Sequence, residues 1–446
     1  MTKDLTLGHP LKIILGFALP IFFGYLFQQF YNVVDTIIVG RFLGVESLAA
    51  VGSTGCVHFL VIGFCIGLCS GFAIPVAQRF GGSDYTVMRQ FVFNSWILVA
   101  IFSVVLATVT MIFCKPLLLL LKTPYDILDK AYDYFIVILA GIPVIMFYNI
   151  LAGFIRSVGD SKTPLYFLVI SAVLNIILDL VFIALFGWGI PGAAYATVIS
   201  QLVSGILCLF YMNKKFEILR LQKEDKIVSA RRISVLLGIG VPMGLQYSIT
   251  AIGTIILQWS VNLLGSAFVA AMSTAQKISV FFSTPFDALG TTMATYGGQN
   301  VGAHKIERLN PGLFWSCTLG AIYSALAFIV MFFFSDFFTY LFISSTESKE
   351  LVSIVVENTR FFLLMNSSTY FLLALVNIVR FMIQGMGFSK LAVLAGVFEL
   401  IGRTVIAIVF VPLFGFKGAC LASPLAWVLA DTFLIFAYFA CRKKLL

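Results

Sequence analysis

Four polar side chains inside the first long apolar stretch set the chemical question. Gln28, Tyr31, Asn32 and Asp35 stand at i, i+3, i+4 and i+7, so a helix through roughly 11–39 carries them on one stripe. An ionisable group in a lipid-spanning segment is expensive and by default faces a bundle interior or a wet cavity. Asp35 is therefore the first functional candidate. The plainer alternative is a capping aspartate at a helix end, since Gly40 and Arg41 follow soon after. A second carboxylate, Asp179, shares a helical face with Asn175 and has no basic neighbour in sequence. Asn149 and Thr197 add oxygens from the same half. Two carboxylates with amide and hydroxyl oxygens suit a hard cation, and the same pair could hold a proton. For Asn149 and Asn175 the alternative is hydrogen bonding between helices, which is common in membrane bundles.

The elements that carry these residues are almost all apolar. The 446 residues are 60% hydrophobic and 11% charged, with mean hydropathy +1.03; a soluble domain carries about 25% charged residues. Twelve segments reach the ~20 apolar residues that a spanning helix needs: roughly 11–39, 47–76, 91–113, 131–155, 165–186, 192–212, 233–258, 262–293, 313–335, 351–383, 391–412 and 418–440. All are expected to be helices, because open sheet edges do not survive in lipid. The first apolar run is too long for a signal peptide and lacks a small-residue cleavage site, so it is expected to stay as a span. Pro20 in span one and Pro143 in span four remove backbone donors and can bend their helices; Pro20 is the candidate hinge beneath Asp35.

The net charge of +9 does not point to nucleic acid, because much of it sits in short loops. With the N-terminus placed inside, nineteen of the 29 Lys and Arg fall on the inner side and six on the outer. This bias puts both termini in the cytoplasm of a multi-pass cell-membrane protein. The eight cysteines form no C-x-x-C and no metal spacing; Cys65 and Cys69 read as small core residues. No phosphate loop, nucleophile elbow or H-E-x-x-H motif is present, so no enzyme activity is expected and the work must be driven by an ion gradient or the substrate's own.

The chain reads as a duplication. Leu43-Gly44 and Ala49-Ala50 match Leu264-Gly265 and Ala270-Ala271, and Gln78 and Gly81 match Gln299 and Gly302, all at an offset of 221. Gly159, Ser161-Lys162 and Leu185-Phe186-Gly187 recur at an offset of 228, as Gly387, Ser389-Lys390 and Leu413-Phe414-Gly415. The expected organisation is a six-helix lobe over 1–212, a charged cytoplasmic linker over 213–232 and a second lobe over 233–446. Six is even, so both copies enter from the same side and a pseudo-two-fold along the membrane normal relates them. The second copy differs in its polar residues. Gln246, Thr250, Thr254, Gln258 and Asn262 form an uncharged stripe at intervals of four, which suits helix packing. Glu399 and Arg403 stand in the favourable order for a self-neutralising pair. Lys277 and Glu399 nevertheless remain candidates for contact with a substrate.

With these features in place, the chain resembles the multidrug and toxic compound extrusion (MATE) family over nearly its whole length. The resemblance is carried by Gln28-Gln29-Phe30-Tyr31-Asn32-Val33-Val34-Asp35-Thr36 followed by Gly40, by Val76-Ala77-Gln78-Arg79-Phe80-Gly81, by Ile155 to Pro164, and by Leu174-Asn175-Ile176-Ile177-Leu178-Asp179. It implies an all-α fold of two six-helix lobes around a V-shaped central cavity. It also implies export of cationic or amphiphilic small molecules by alternating access, against H⁺ or Na⁺ and with no other cofactor. By that likeness the coupling-ion site, a Na⁺ site if the ion is sodium, falls on Asp35, Asn175 and Asp179, with Asn149 and Thr197 near. Gln28, Tyr31, Asn32, Lys277 and Glu399 would then face the substrate. Some relatives place a Glu on span seven and an Asp on span ten; here Gln246 and Thr250, and Asn377 and Arg380, stand there. The expected partners are the substrate and membrane lipid, with no nucleic acid, and the expected state is a monomer. The alternative is a flippase for a lipid-linked or anionic amphiphile of the same superfamily, which Lys277, Arg380 and Arg403 would favour.

Overall fold

The computed structural model describes residues 4–120, 123–342 and 349–446. Lys3 and Lys122, both counted in the charge bias above, lie outside the described residues. Among the described residues every regular element is helical. In chain order these are α1 (Pro10–Leu43), α2 (Val45–Ser53), α3 (Gly55–Gly81), α4 (Tyr85–Ile112), α5 (Cys114–Leu120), α6 (Tyr125–Ala140), α7 (Ile142–Ser157), α8 (Lys162–Asp179) and α9 (Ile190–Lys215). They continue with α10 (Ala230–Asn262), α11 (Ser266–Gly302), α12 (Leu309–Tyr340), α13 (Lys349–Ser367), α14 (Tyr370–Gly385), α15 (Ser389–Val405), the single turns α16 (Val411–Phe414) and α17 (Phe416–Ala419), and α18 (Ala422–Lys443). Among the described residues nine helices are long and apolar enough to cross a membrane, and two bent pairs bring the number to eleven. The remaining expected span is α11, 37 residues long, which Lys277, Asp287 and a run of Ser, Thr and Gln make the more polar one.

The two bent pairs fall at matching places in the repeat. α6 and α7 meet at 46°, and α13 and α14 at 49°. At the first break Gly141 N–H reaches both Val137 O and Ile138 O, and Pro143 opens the next helix where its missing donor costs nothing. The second break has no proline; there Ser367, Ser368 and Thr369 hydroxyls donate to carbonyls of the preceding turn, which also bends helices. Two π-helical segments match as well, Leu180–Leu185 after α8 and Ile406–Phe410 after α15. Ser83 and His304, 221 residues apart, both hold positive φ (56° and 57°) without being glycine. Shared geometry at unlike residue types extends the repeat beyond the matched letters.

Packing divides the chain into two compact units that interleave along it: residues 4–7, 19–248 and 298–304, and residues 8–18, 249–297 and 305–446. The first unit takes in most of the N-terminal half of α10 because that stretch presses on α3 with almost no side chain between. A Cβ on Gly67 would lie 2.5 Å from Met243 O, and one on Gly71 2.5 Å from Gly240 Cα. Small residues at such crossings are how membrane helices gain van der Waals contact when lipid offers no hydrophobic drive. The repeated Gln-x-x-Gly has the same kind of role. A Cβ on Gly81 would fall 2.0 Å from Gln299 O, and one on Gly302 1.7 Å from Gln78 O, so each glycine sits on the other copy's backbone. Gln299 also donates to Ser157 O at 2.8 Å and accepts from Leu5 N at 2.8 Å. Cys65 and Cys69 are buried and unbridged, as their reading as core residues anticipated.

The segment after α9 is ordered against α4. Arg89 Nε donates to Asp225 Oδ2 at 2.5 Å, and the same oxygen accepts from Gln222 N at 2.9 Å. Asn94 donates to Ile227 O at 2.9 Å and accepts from Ser229 N at 3.0 Å. The Gly159-to-Pro164 motif is likewise a structural turn. Asp160 Oδ1 accepts from Lys162 N and Thr163 N at 3.0 Å each, and Oδ2 accepts from Thr163 Oγ1 at 2.6 Å, which satisfies the donors that open α8.

Candidate functional site

In the first unit, four helices bring polar groups to one place. α1 runs on to Leu43, eight residues past Asp35, so that carboxylate lies mid-helix and caps nothing. Tyr31 shares hydrogen bonds with Gln28 on its own helix and with Gln201 on α9. The Asp35 carboxyl lies beside that of Asp179 at the end of α8. Asp179 is fully buried, Asn175 is 1% exposed and Asp35 is half-buried. Asn175 donates to Thr197 Oγ1 at 3.3 Å, and Thr197 in turn donates to Ala193 O at 3.1 Å. On α6, the buried Tyr134 lies within electrostatic reach of both carboxyls and of Tyr31.

Acceptors outnumber donors in this group. Asp35 Oδ1, Asp179 Oδ1 and Oδ2, Asn175 Oδ1 and Gln201 Oε1 are buried, and none receives a hydrogen bond. Among the described residues no Lys or Arg pairs with either carboxylate. Buried polar atoms are nearly always satisfied in folded proteins, and five orphan oxygens together mark a place for a positive species. The donor set is oxygen only, with two carboxylates, and among the described residues no cluster of three His, Cys, Asp or Glu occurs. It suits a proton or a monovalent hard cation better than a divalent one, which wants more anionic ligands.

The other candidates are placed elsewhere or differently. Asn149 on α7 is half-buried and spends its amide N–H on Ile145 O of its own helix at 2.8 Å. Asn32 is exposed. Pro20 sits inside α1, which continues unbroken through it. Lys277 on α11, in the second unit, has an exposed side chain. Glu399 on α15 is 4% exposed and held twice: Arg380 Nη2 donates to Oε1, and Arg403 Nη2 lies 3.4 Å from Oε2. The Glu399–Arg403 pair expected from the spacing is present, and a second arginine from α14 joins it.

Reading the sequence missed Tyr134 and Gln201 in the first unit and Asp431 in the second. Gln201 stands four residues after Thr197, so the helical spacing that singled out Asn175 and Asp179 would have found it. Asp431, a buried carboxylate within α18, is open to the same cost argument as Asp35. Tyr134 carries no such signal, since only the meeting of α6 with α1 and α8 makes it part of the group.

The comparisons with known proteins agree with this architecture. The family model MatE matches twice, over residues 20–181 and 242–413, one match to each half of the repeat. A probable multidrug resistance protein, YpnP, of Bacillus subtilis (strain 168) is 30% identical over 69% of this chain and 68% of its own length. A second from the same strain, YoeA, is 29% identical over 74% of this chain and 73% of its own. Among solved structures, one described as MATE in complex with MaL6 superposes with a TM-score of 0.90 at 24% identity, covering 100% of this chain and 99% of that one.

Proposed function

Because the chain belongs to the MatE family of membrane transporters, we propose that it is an antiporter that expels cationic or amphiphilic small molecules in exchange for H⁺ or Na⁺. The observation that carries this reading is the Asp35–Asp179 pair with its unpaired oxygens and, among the described residues, no basic partner. Two adjacent carboxylates in a low-dielectric span cannot both stay bare, since each uncompensated charge there costs several kcal/mol. The pair is therefore occupied by a positive species at every stage of the cycle. An outgoing organic cation, entering from the cytoplasm where both termini lie, takes that place on one side. The inward ion or proton displaces it on the other. Tyr31 and Tyr134 hydroxyls steady whichever carboxyl is charged, and Asn175 and Thr197 supply neutral oxygens to a bound ion. Gln28 and Asn32 extend the polar stripe along α1 toward the substrate.

Pro20 serves as the hinge in this scheme. It leaves one carbonyl of α1 without its helical donor, so α1 can bend when Asp35 changes occupancy. The YpnP and YoeA relatives are named for multidrug resistance, in keeping with amphiphilic cations as cargo. The flippase alternative loses ground because Arg380 and Arg403 both serve Glu399 and are not left free for an anionic headgroup. The protein acts as a monomer among membrane lipids.

The test is efflux of a cationic dye from proteoliposomes, with a pH step and a Na⁺ step imposed separately. Wild type responds to at least one step, and Asp35→Asn falls to background while still reaching the membrane in normal amount. Full exchange by Asp35→Asn would overturn the scheme.

A further inference from the structure

We propose that Asp431, on α18 in the second unit, is a proton-binding site whose charge decides whether Arg380 serves Glu399 alone or Asp431 as well. It lies outside the Asp35–Asp179 group and stands whether or not the exchange scheme above does. Asp431 is 5% exposed, and neither of its carboxyl oxygens has a hydrogen-bond partner. In the same buried cluster, Arg380 on α14 donates through Nη2 to Glu399 but leaves its Nε–H without an acceptor. An unserved acceptor on α18 and an unserved donor on α14 thus lie within electrostatic reach of each other on two helices that pack together, while Glu399 is served by two arginines.

The surroundings narrow the ligand to a proton. From α14 the charged group facing Asp431 is Arg380; from α15 it is Glu399, with Arg403 bound beyond it; from α12 it is the Cys317 thiol. α13 brings Glu350, Glu357 and Arg360, and Arg360 is engaged with Asp336 at 3.2 Å on an exposed face. Two guanidiniums in the cluster repel a metal cation, whereas a proton needs only the carboxylate. A bare carboxylate without hydrogen bonds is the costliest arrangement in such a place. In the geometry seen here, therefore, Asp431 carries the proton and the cluster holds two positive charges against one negative.

Loss of that proton to water leaves Asp431 ionised and brings the cluster to two positive and two negative charges. Arg380 then turns its free Nε–H to Asp431, and Arg403 keeps Glu399 paired. No other bond changes. Each state has a cost: net charge in the protonated one, a divided Arg380 in the other. This balance makes the site titratable.

Infrared difference spectra of the full chain in lipid, between acid and alkaline pH, test this directly. The parent is the Asp35→Asn/Asp179→Asn protein, so that the first-unit pair is silent. Expected is a protonated-carboxyl C=O band that disappears on alkalinisation, is absent from the parent carrying Asp431→Asn, and persists to higher pH with Arg380→Gln. Cys317→Ala leaves it unchanged. A band that survives Asp431→Asn, or no band at all, overturns the site. A band whose titration ignores Arg380→Gln overturns the recruitment of Arg380 by Asp431. Should Arg380→Gln fail to fold, the near-isosteric Asp431→Asn still decides whether the proton resides there.

Discussion

One duplicated scaffold holds its buried charge in two opposite ways. In the first unit Asp35 and Asp179 lie together with orphan oxygens around them and, among the described residues, no basic partner. In the second, Glu399 is enclosed by Arg380 and Arg403. The repeat offset of 228 sets Asn175 against Arg403 and Asp179 against Ala407, and the offset of 221 sets Asp35 against Ile256. At equivalent places, then, one copy keeps carboxylates and a neutral amide where the other has lost the acids and gained a guanidinium. An open site can trade one positive species for another because, among the described residues, no basic group competes for its carboxylates. A closed one is held by covalently attached cations and resists exchange. The difference teaches that the scaffold tolerates buried charge and that the partner determines whether the charge does work.

If this contrast is right, the two regions respond oppositely to neutralisation. The largest effect is expected in the closed network. Glu399→Gln strands two buried guanidiniums and should cost about 3–5 kcal/mol of stability, as breaking one side of a buried ion pair does. Unfolding in mixed micelles reads this, and a variant as stable as wild type would mean that the network is wet and the contrast false. Asp179→Asn comes next. It removes a charge that no protein group compensates, so stability should stay within about 1 kcal/mol of wild type or rise, while ion-driven dye efflux is lost. A loss of stability as large as that of Glu399→Gln would show Asp179 to be structural. The smallest effect is expected from Pro20→Ala, which restores a helical donor to α1. Binding of the dye should be unchanged and turnover slower, measured as KM against kcat for efflux. Unchanged turnover would remove the hinge and leave the contrast between the units untouched.

Much of the candidate site was legible because its signals are local. Asp35, Asn175 and Asp179 stand out by the cost of a polar group in an apolar run, and spacing alone puts Tyr31 on the stripe with Asp35. The Gln78–Gly81 and Gln299–Gly302 matches could be seen as repeats, yet their purpose, backbone laid on backbone, was invisible without the crossing. The bend between α13 and α14 gave no warning either. Its cause is hydroxyls returning to their own helix, which leaves no mark as plain as a proline.

Composition and periodicity by themselves determined the membrane setting, the helices and the short roll of intramembrane carboxylates, because each depends on residues near one another in the chain, and matched residues at offsets of 221 and 228 determined the duplication. Beyond the Glu399–Arg403 pair that spacing announces, tertiary structure alone decided which of those carboxylates are compensated. Arg380 lies 19 residues before Glu399, and Tyr134 lies 99 after Asp35; only packing brings either pair together. Charge is a property of a residue, but its price in lipid is set by what the fold puts beside it.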